Sequence, residues 1–504
     1  MFCVKIIGGF FWNYASVKKK SVSFFDNWLY NIKGLLCGSA AKLYEEQNAM
    51  TVDENILKNK KHLHFIGIGG SGMFPMVQIL HKEGFYITGS DNNETETTKI
   101  ERKMGIEVIF GQKAENIEGA DLIVYTAAIM ADNPELIAAK ASGVPCLERS
   151  EMLGVLSRRY SKAICVAGTH GKTTTSGMIA QVLLEGGFDP SAFIGGKVKA
   201  LGGSGRAGKS DIFVVEACEF VDTFLKLSND ISVILNIDND HLDYFGTIEG
   251  AIKSFRKFAE NSTGALIVNG DDANTMKAVE GLDKEIITFG WSESNDYWAK
   301  NVRKLGGARS GYTLMHKGEP IAEIELTIPG KHNILNSIAC AAACIYVGMA
   351  PEQVAEHIDK FPGAGRRFEI LGEVNGVTIA DDYAHHPTEL EATLRAAKDM
   401  DFNEVWAVFQ PFTYSRTALL MDDFAKALSV ADHVVMSEIM GSREKNTYNV
   451  YTKDLAEKIP GSVWFNTFEE MAQHTLANAK PGDLVITLGC GDVYKCAYMM
   501  AGIE

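Results

Sequence analysis

From about Lys61 onward, short apolar runs alternate with helix-like stretches, and glycine-rich turns separate the two. This alternation constrains the fold more than any other feature of the chain. Continuous apolar strands are buried on both faces, and the helices between them are the crossovers that parallel strands require. The strand candidates are residues 64–66, 87–90 and 122–125 in a first block, 163–167, 212–216 and 231–237 in a second, and 405–409, 433–436 and 484–488 in a third. A length of 504 residues fits about three domains. The expected fold class is α/β in three domains. An N-terminal Rossmann-like domain covers 50–158, a central P-loop domain covers 159–362, and a C-terminal Rossmann-like domain covers 363–504. The run Phe361-Pro362-Gly363-Ala364-Gly365 punctuates the last boundary as a linker does.

Residues 1–49 break the pattern. They mix Phe10, Phe11, Trp12, Phe24, Phe25 and Trp28 with the basic run Lys18-Lys19-Lys20. A signal peptide puts positive charge before its apolar stretch, whereas here the main basic run follows it. These residues are expected to be an upstream extension, and an intact mass of the native protein that includes them would overturn that. The formal net charge of −15 argues against a nucleic-acid partner. Nine cysteines, an odd number with no Cys-x-x-Cys pair, argue against a disulfide framework or structural zinc and for a reducing, cytoplasmic setting. The longest stretch without Asp, Glu, Lys or Arg is 332–351. It holds Asn333, Asn336 and Ser337 and is rich in alanine, so it is expected to be a buried helix and not a membrane span.

Six motifs could carry chemistry. Gly67-Ile68-Gly69-Gly70-Ser71-Gly72 follows a strand and precedes a helix, with Asp91 at the end of the next strand. Such a loop presents amides to a phosphate, and Asp91 stands where a ribose-binding acid would. The bland alternative is a tight turn without a ligand. Gly168-Thr169-His170-Gly171-Lys172-Thr173-Thr174-Thr175 also joins a strand to a helix. Its amides can wrap a triphosphate, Lys172 can bridge phosphates, and Thr173 can hold Mg²⁺. Residues 203–210 match the full P-loop pattern but lead into a strand, so they are expected to be a flexible surface loop.

Glu216-Ala217-Cys218-Glu219 and the acidic run 236–243, with His241, follow buried strands in the same block. Carboxylates there can meet a hard cation at the phosphate edge. Gly330-Lys331-His332-Asn333-Ile334-Leu335-Asn336 opens the buried helix, with two asparagines on one face. In the third block, Arg366-Arg367, the run 381–388 and the run 410–417 lie at strand ends or the linker, the usual ligand crevice of an open α/β sheet. Taken singly, each is as readily a cap or a packing element.

Together these motifs resemble the Mur ligase family, over nearly all of the chain after residue 60. The shortened P-loop, with Val166 where a first glycine would stand, is itself characteristic of that family. Gly89-Ser90-Asp91 after the first glycine loop is most typical of its alanine-adding branch. On its own the first glycine loop with Asp91 reads as a dinucleotide site, and the resemblance replaces that ligand with a UDP-sugar. It implies an ATP- and Mg²⁺-dependent ligase acting on UDP-N-acetylmuramate and L-alanine in the cytoplasm, as a monomer or homodimer.

By resemblance, Gly168, Thr169, His170, Gly171, Lys172, Thr173 and Thr174 bind ATP phosphates. His332, Asn333 and Asn336 contact the nucleotide or its base, and Arg367 and Asp382 close over it. Thr173, Glu216 and His241 organise the metal. Gly67, Gly69, Gly70, Ser71, Gly72 and Asp91 hold the UDP-sugar. Tyr383, His385 and Arg416 face the reacting carboxylate and amine, and Lys172, His241, Arg416 and His385 carry the catalysis. Two departures stand out. Phe412-Thr413 replace a His-Arg pair of some members, and the carbamylated lysine of others has only Arg256 or Lys257 nearby. A tripeptide-adding recycling relative is the nearest rival. It tends to show Arg-Arg-Leu-Glu and Phe-Ala-His-His where this chain has Arg366-Arg367-Phe368-Glu369 and Tyr383-Ala384-His385-His386.

Overall fold

The computed structural model describes residues 54–306, 308–442 and 444–503. The expected upstream extension, residues 1–49, lies outside the described residues. The described chain builds three sheets in succession.

The first sheet contains β1 (His62–Ile66), β2 (Tyr86–Asp91), β3 (Glu107–Phe110), β4 (Leu122–Tyr125) and β5 (Cys146–Glu148). All pairings are parallel, in the order β3-β2-β1-β4-β5. The chain winds outward to one side of β1 and then to the other. A crevice therefore opens beyond the carboxyl end of β1, where the loop 67–72 stands.

The second sheet contains β6 (Lys162–Ala167), β7 (Ser191–Val198), β8 (Gly203–Arg206), β9 (Ile212–Glu216), β10 (Ile231–Ile234), β11 (Leu266–Asn269), β12 (Ile286–Gly290), β13 (Tyr297–Gly306), β14 (Arg309–His316) and β15 (Glu319–Leu326). β6 lies between β9 and β10, parallel to both. The loops that leave these three strands therefore emerge side by side. The helices Lys172–Glu185 and Lys331–Tyr346 pack on this sheet and on each other, with most of their residues buried. That burial is why both lack a polar stripe in sequence.

Three expectations need correction here. The strand expected over 231–237 ends at Ile234; the Leu235 amide still bonds Ala167 at the end of β6, and Asn236 turns to bond the phosphate loop. The helix expected to Pro351 ends at Tyr346, and a new one begins at Pro351. Residues 203–210 are not a free surface loop. Gly203–Arg206 is a strand antiparallel to β7, and Ser191 and Asp189 accept the Gly208 and Lys209 amides. No helix follows it, so it cannot cradle a phosphate as a P-loop does.

The third sheet contains β16 (Glu369–Val374), β17 (Val377–Asp382), β18 (Val405–Phe409), β19 (His433–Ser437), β20 (Val463–Phe465) and β21 (Leu484–Leu488), in the order β16-β17-β21-β18-β19-β20. Only the edge strand β16 is antiparallel. The last strand inserts between β17 and β18. This brings Asp382, Gln410 and Gly489 to one edge. The seven cysteines among the described residues are all free thiols.

Candidate active site

The phosphate loop is shaped by two glycines. Gly168 and Gly171 have φ of 145° and 86°, which side chains resist. A Cβ on Gly171 would sit 2.6 Å from Asn336 Oδ1. The loop after β10 stitches itself to this turn. Asn236 Oδ1 accepts the His170 amide at 2.8 Å, its carbonyl accepts the Thr169 amide at 3.1 Å, and Thr169 Oγ1 accepts the Asp238 amide at 2.9 Å. Lys172 folds back over its own loop. It donates to Gly168 O at 2.6 Å, Thr169 O at 3.0 Å and Glu219 Oε1 at 3.0 Å. Burial works against its charge, but Glu219 and the neighbouring anionic groups outweigh it and hold the lysine protonated above its ordinary value.

The residues expected at a cation come partly together. Thr173 Oγ1 donates to Glu216 Oε1 at 3.0 Å, and the Gly195 amide donates to Glu216 Oε2 at 2.7 Å. A Cβ on Gly195 would lie 2.5 Å from that carboxylate, so the glycine makes room for it. A hydroxyl and a carboxylate at the mouth of a phosphate loop are the hard oxygen donors that suit Mg²⁺. His241 bonds neither of them. It packs on Phe220, with ring centroids 4.6 Å apart, and stands 3.8 Å from Asp240 Oδ2. Among the described residues, no three His, Cys, Asp or Glu side chains gather as a metal site. Arg256 turns to Glu260 and to the carbonyls of Ala278 and Glu280, and Lys257 is exposed.

The third sheet reaches over the loop at three points. Arg367 donates to Thr173 Oγ1 at 3.3 Å, Arg416 to Asp240 Oδ1 at 3.3 Å, and His170 Nδ1 lies 3.4 Å from Glu389 Oε1. His170 also bonds Asp238 at 3.3 Å through Nε2. Burial alone would lower the His170 pKa, but Asp238 and Glu389 carry it up to about 9. Asp382 accepts the amides of Phe368 and Ala384 at 2.7 and 2.8 Å. Burial pushes its carboxyl up to about 6, against the pull of Arg367 and those amides. His385 stands 3.2 Å from Glu389 Oε2 and 3.1 Å from Tyr383 O, and Tyr383 lies under the Arg367 guanidinium, 4.9 Å from its centroid.

Between these elements is a cavity of ≈ 350 Å³, lined by the P-loop, Asn333, Asn336, Arg367 and Asp382. Its volume suits a nucleoside. His332 stands at its rim, on the exposed first turn of the helix Lys331–Tyr346.

In the first sheet, Ser90 O accepts the amides of Gly67 and Ile68, and Asp91 Oδ2 accepts that of Gly69 at 3.0 Å. Beneath them lies a closed polar network. His64 Nε2 is 2.7 Å from Glu135 Oε1, Ser90 Oγ donates to Glu135 Oε2 at 2.7 Å, and Thr88 Oγ1 is 2.7 Å from His64 Nδ1. His64, Ser90 and Glu135 are fully buried.

Profiles of three Mur ligase domains match the chain in order. The Mur ligase family catalytic domain covers residues 62–161, the Mur ligase middle domain 166–344, and the Mur ligase glutamate ligase domain 366–491. The chain belongs to the Mur ligase family. A UDP-N-acetylmuramate–L-alanine ligase of Agathobacter rectalis is 45% identical over 441 residues, 86% of this chain and 96% of that one. The crystal structure of the UDP-N-acetylmuramate–alanine ligase of Thermotoga maritima superposes with a TM-score of 0.76 at 28% identity, over 88% of this chain and 99% of the other. A murein peptide ligase from Psychrobacter arcticus shares the fold at a TM-score of 0.67 and 22% identity, over 88% and 98%.

In this Mur ligase the structure gathers Gly168 to Thr174, Asn333, Asn336, Glu216, Arg367 and Asp382 around one cavity and its mouth. Tyr383, His385 and Arg416 are on the facing sheet, while Gly67–Gly72 and Asp91 belong to the first sheet. The sequence reading missed Glu389, Asn269 and Phe289, and it offered Asp238, within the acidic run 236–243, only to a cation. Asp238 and Glu389 pair with His170, and Asn269 and Phe289 line the cavity. Asn269 carried a usable signal, because like Glu216 it closes a buried apolar strand of the same sheet. Glu389 carried none, since a glutamate in the first turn of a helix is ordinary capping chemistry.

Proposed function

We propose that this Mur ligase joins L-alanine to the carboxylate of UDP-N-acetylmuramate while ATP is cleaved to ADP and phosphate. The single observation that carries the reading is the convergence of Lys172, the Thr173–Glu216 pair and Arg367 on one phosphate loop, in a chain 45% identical to a UDP-N-acetylmuramate–L-alanine ligase. The higher structural similarity to the alanine ligase than to the murein peptide ligase favours a single amino acid over a tripeptide as acceptor.

A carboxylate resists amines because oxide is a poor leaving group. Transfer of the γ-phosphoryl group of ATP to one carboxylate oxygen makes an acyl phosphate. The alanine amine then attacks the carbonyl carbon, and the tetrahedral intermediate expels phosphate. Lys172, released from Gly168 O and Thr169 O, is placed to bind the β- and γ-phosphates. Thr173 and Glu216 would hold Mg²⁺, and His241 would have to turn from Phe220 to join them. The ion would neutralise phosphate charge. Asn333 and Asn336 meet the base side of the cavity, and Asp382 fixes the linker that carries Arg367. His385, Tyr383 and Arg416 face the reacting carboxylate and amine. Closure by Arg367, Arg416 and Glu389 keeps out water that would hydrolyse the acyl phosphate. The loop 67–72 takes the UDP-sugar.

No helix of the described residues is long and apolar enough to cross a membrane. ATP and a UDP-sugar are cytoplasmic substrates, which supports a cytoplasmic reaction. The test is isotopic. With ¹⁸O in the carboxylate of UDP-N-acetylmuramate, one labelled oxygen should appear in released phosphate for each amide formed. Unlabelled phosphate would exclude the acyl phosphate.

A further inference from the structure

We infer that Arg149 clamps the diphosphate of the UDP-sugar against the glycine loop 67–72. This rests on the reading of that loop as the UDP-sugar site and adds to it a residue that no motif marked. Arg149 opens the helix Arg149–Ser157, some 80 residues beyond the loop in sequence. In space it lies against the loop. A Cβ built on Gly72 would stand 3.4 Å from Arg149 Nη1 and 3.5 Å from its Cδ. Gly72 is not in a left-handed conformation, so the backbone does not demand glycine there. What the missing side chain provides is room for the guanidinium.

The guanidinium has no partner among the described residues. It enters no ion pair and no hydrogen bond, although it is half-buried. The two carboxylates beside it are committed elsewhere. Glu148 accepts the Ser150 amide at 2.8 Å and stands 3.8 Å from Lys226, while Glu151 accepts the Glu148 amide at 2.7 Å. An arginine seldom leaves solvent entirely without a partner, and this half-buried one has none among the described residues, so its guanidinium is free to take an anion.

The loop has matching donors to spare. The amides of Gly67 and Ile68 go to Ser90 O, that of Gly69 to Asp91, and that of Gly70 to Gly67 O. The amides of Ser71 and Gly72 have no acceptor among the described residues, and neither has the exposed Ser71 hydroxyl. The spare donors are therefore those at the Arg149 end of the loop. Two amides, a hydroxyl and a planar guanidinium fork suit the oxygens of a diphosphate, which accept from such a fork in pairs.

The experiment titrates the full-length enzyme and its Arg149→Met and Arg149→Lys variants with UDP, uridine and ATP, and measures KM for UDP-N-acetylmuramate. Losing the guanidinium should weaken UDP on the order of 10- to 100-fold. Lysine should restore part of this, because it keeps the charge and loses the fork. Uridine and ATP should bind as to the wild type, and KM for the UDP-sugar should rise with kcat retained. Unchanged UDP affinity in Arg149→Met would overturn the inference and leave the ligase assignment standing. Equal losses for uridine and ATP would overturn it too, since they would mean a merely structural role. Failure of the wild-type enzyme itself to bind UDP would instead remove the reading of the loop on which the inference rests.

Discussion

Substituting Glu389 by glutamine should lower the His170 pKa and loosen the hold of the third sheet on the phosphate loop. Glutamine keeps the shape of the side chain and an oxygen for the His385 and His386 amides, which the carboxylate accepts at 3.0 and 3.3 Å. It removes the charge 3.4 Å from His170 Nδ1. The His170 side chain is 22% exposed and that of Glu389 19%, so solvent screens the pair incompletely. A rise from 6.5 to about 9, at ~1.36 kcal/mol per pH unit, puts the net gain from protonating folded His170, after the cost of burial, at about 3 kcal/mol. Asp238, 42% exposed, keeps its share in the variant. The loss on substitution is therefore about 1–2 kcal/mol.

The sign follows from linkage. His170 titrates higher when folded, so its contribution is complete below about pH 6.5 and fades as pH rises through about 9. Glu389 is exposed by burial to a rise, but His385 and His170 hold it well below 4.5. Its contribution is present above 4.5 and fades as pH falls through its folded value. The gap between wild type and variant should be widest between pH ~4.5 and 6.5 and narrow on both sides. Carbon-detected titration of the 12 histidines, with His170 assigned by its own substitution, measures the pKa directly. Thermal melting across pH reads the stability gap. A wild-type His170 that titrates near 6.5, or a gap that does not depend on pH, would refute the reasoning.

Three further outcomes are expected. Lys172→Ala should fold normally and lose ligation on the order of 10²–10³ in rate, because the phosphate contact matters most in the transition state; wild-type turnover would remove Lys172 from the mechanism. Gly195→Ala should force Glu216 away from Thr173, since the new Cβ falls 2.5 Å from the carboxylate. Its signature is a higher Mg²⁺ concentration for half-maximal activity, and an unshifted Mg²⁺ curve would contradict the Thr173–Glu216 site. Glu135→Ala should cost about 3–5 kcal/mol, read by urea unfolding, because it strands His64 and Ser90 in the first core. The double variant His64→Leu with Glu135→Leu should cost less than that single change, and a larger cost would speak against an origin in stranded polar groups.

The parts of this molecule legible in sequence are those with a local physical cause. β1, β6, β9, β18 and β21 are buried apolar runs, and each is where composition puts it. The phosphate loop announces itself because Gly168 and Gly171 must take conformations other residues resist. The antiparallel run β13–β15 went unread, since half-exposed strands such as Tyr297–Gly306 carry no clean alternation. The contacts between distant segments were equally silent. Glu389 to His170 and Arg149 to Gly72 each join residues that only the topology brings together. The resemblance to a family named residues at the phosphate loop and the strand ends. It said nothing of the side chains that hold those residues in place.

The central claim is tested most directly by phosphate release. Purified enzyme is given ATP, Mg²⁺ and UDP-N-acetylmuramate with L-alanine, with L-alanyl-γ-D-glutamyl-meso-diaminopimelate, or with no acceptor, and each mixture is repeated without the sugar nucleotide. Release that needs both UDP-N-acetylmuramate and L-alanine is the predicted result. Release with the tripeptide alone would reassign the acceptor, and release indifferent to sugar and amine would contradict the ligase.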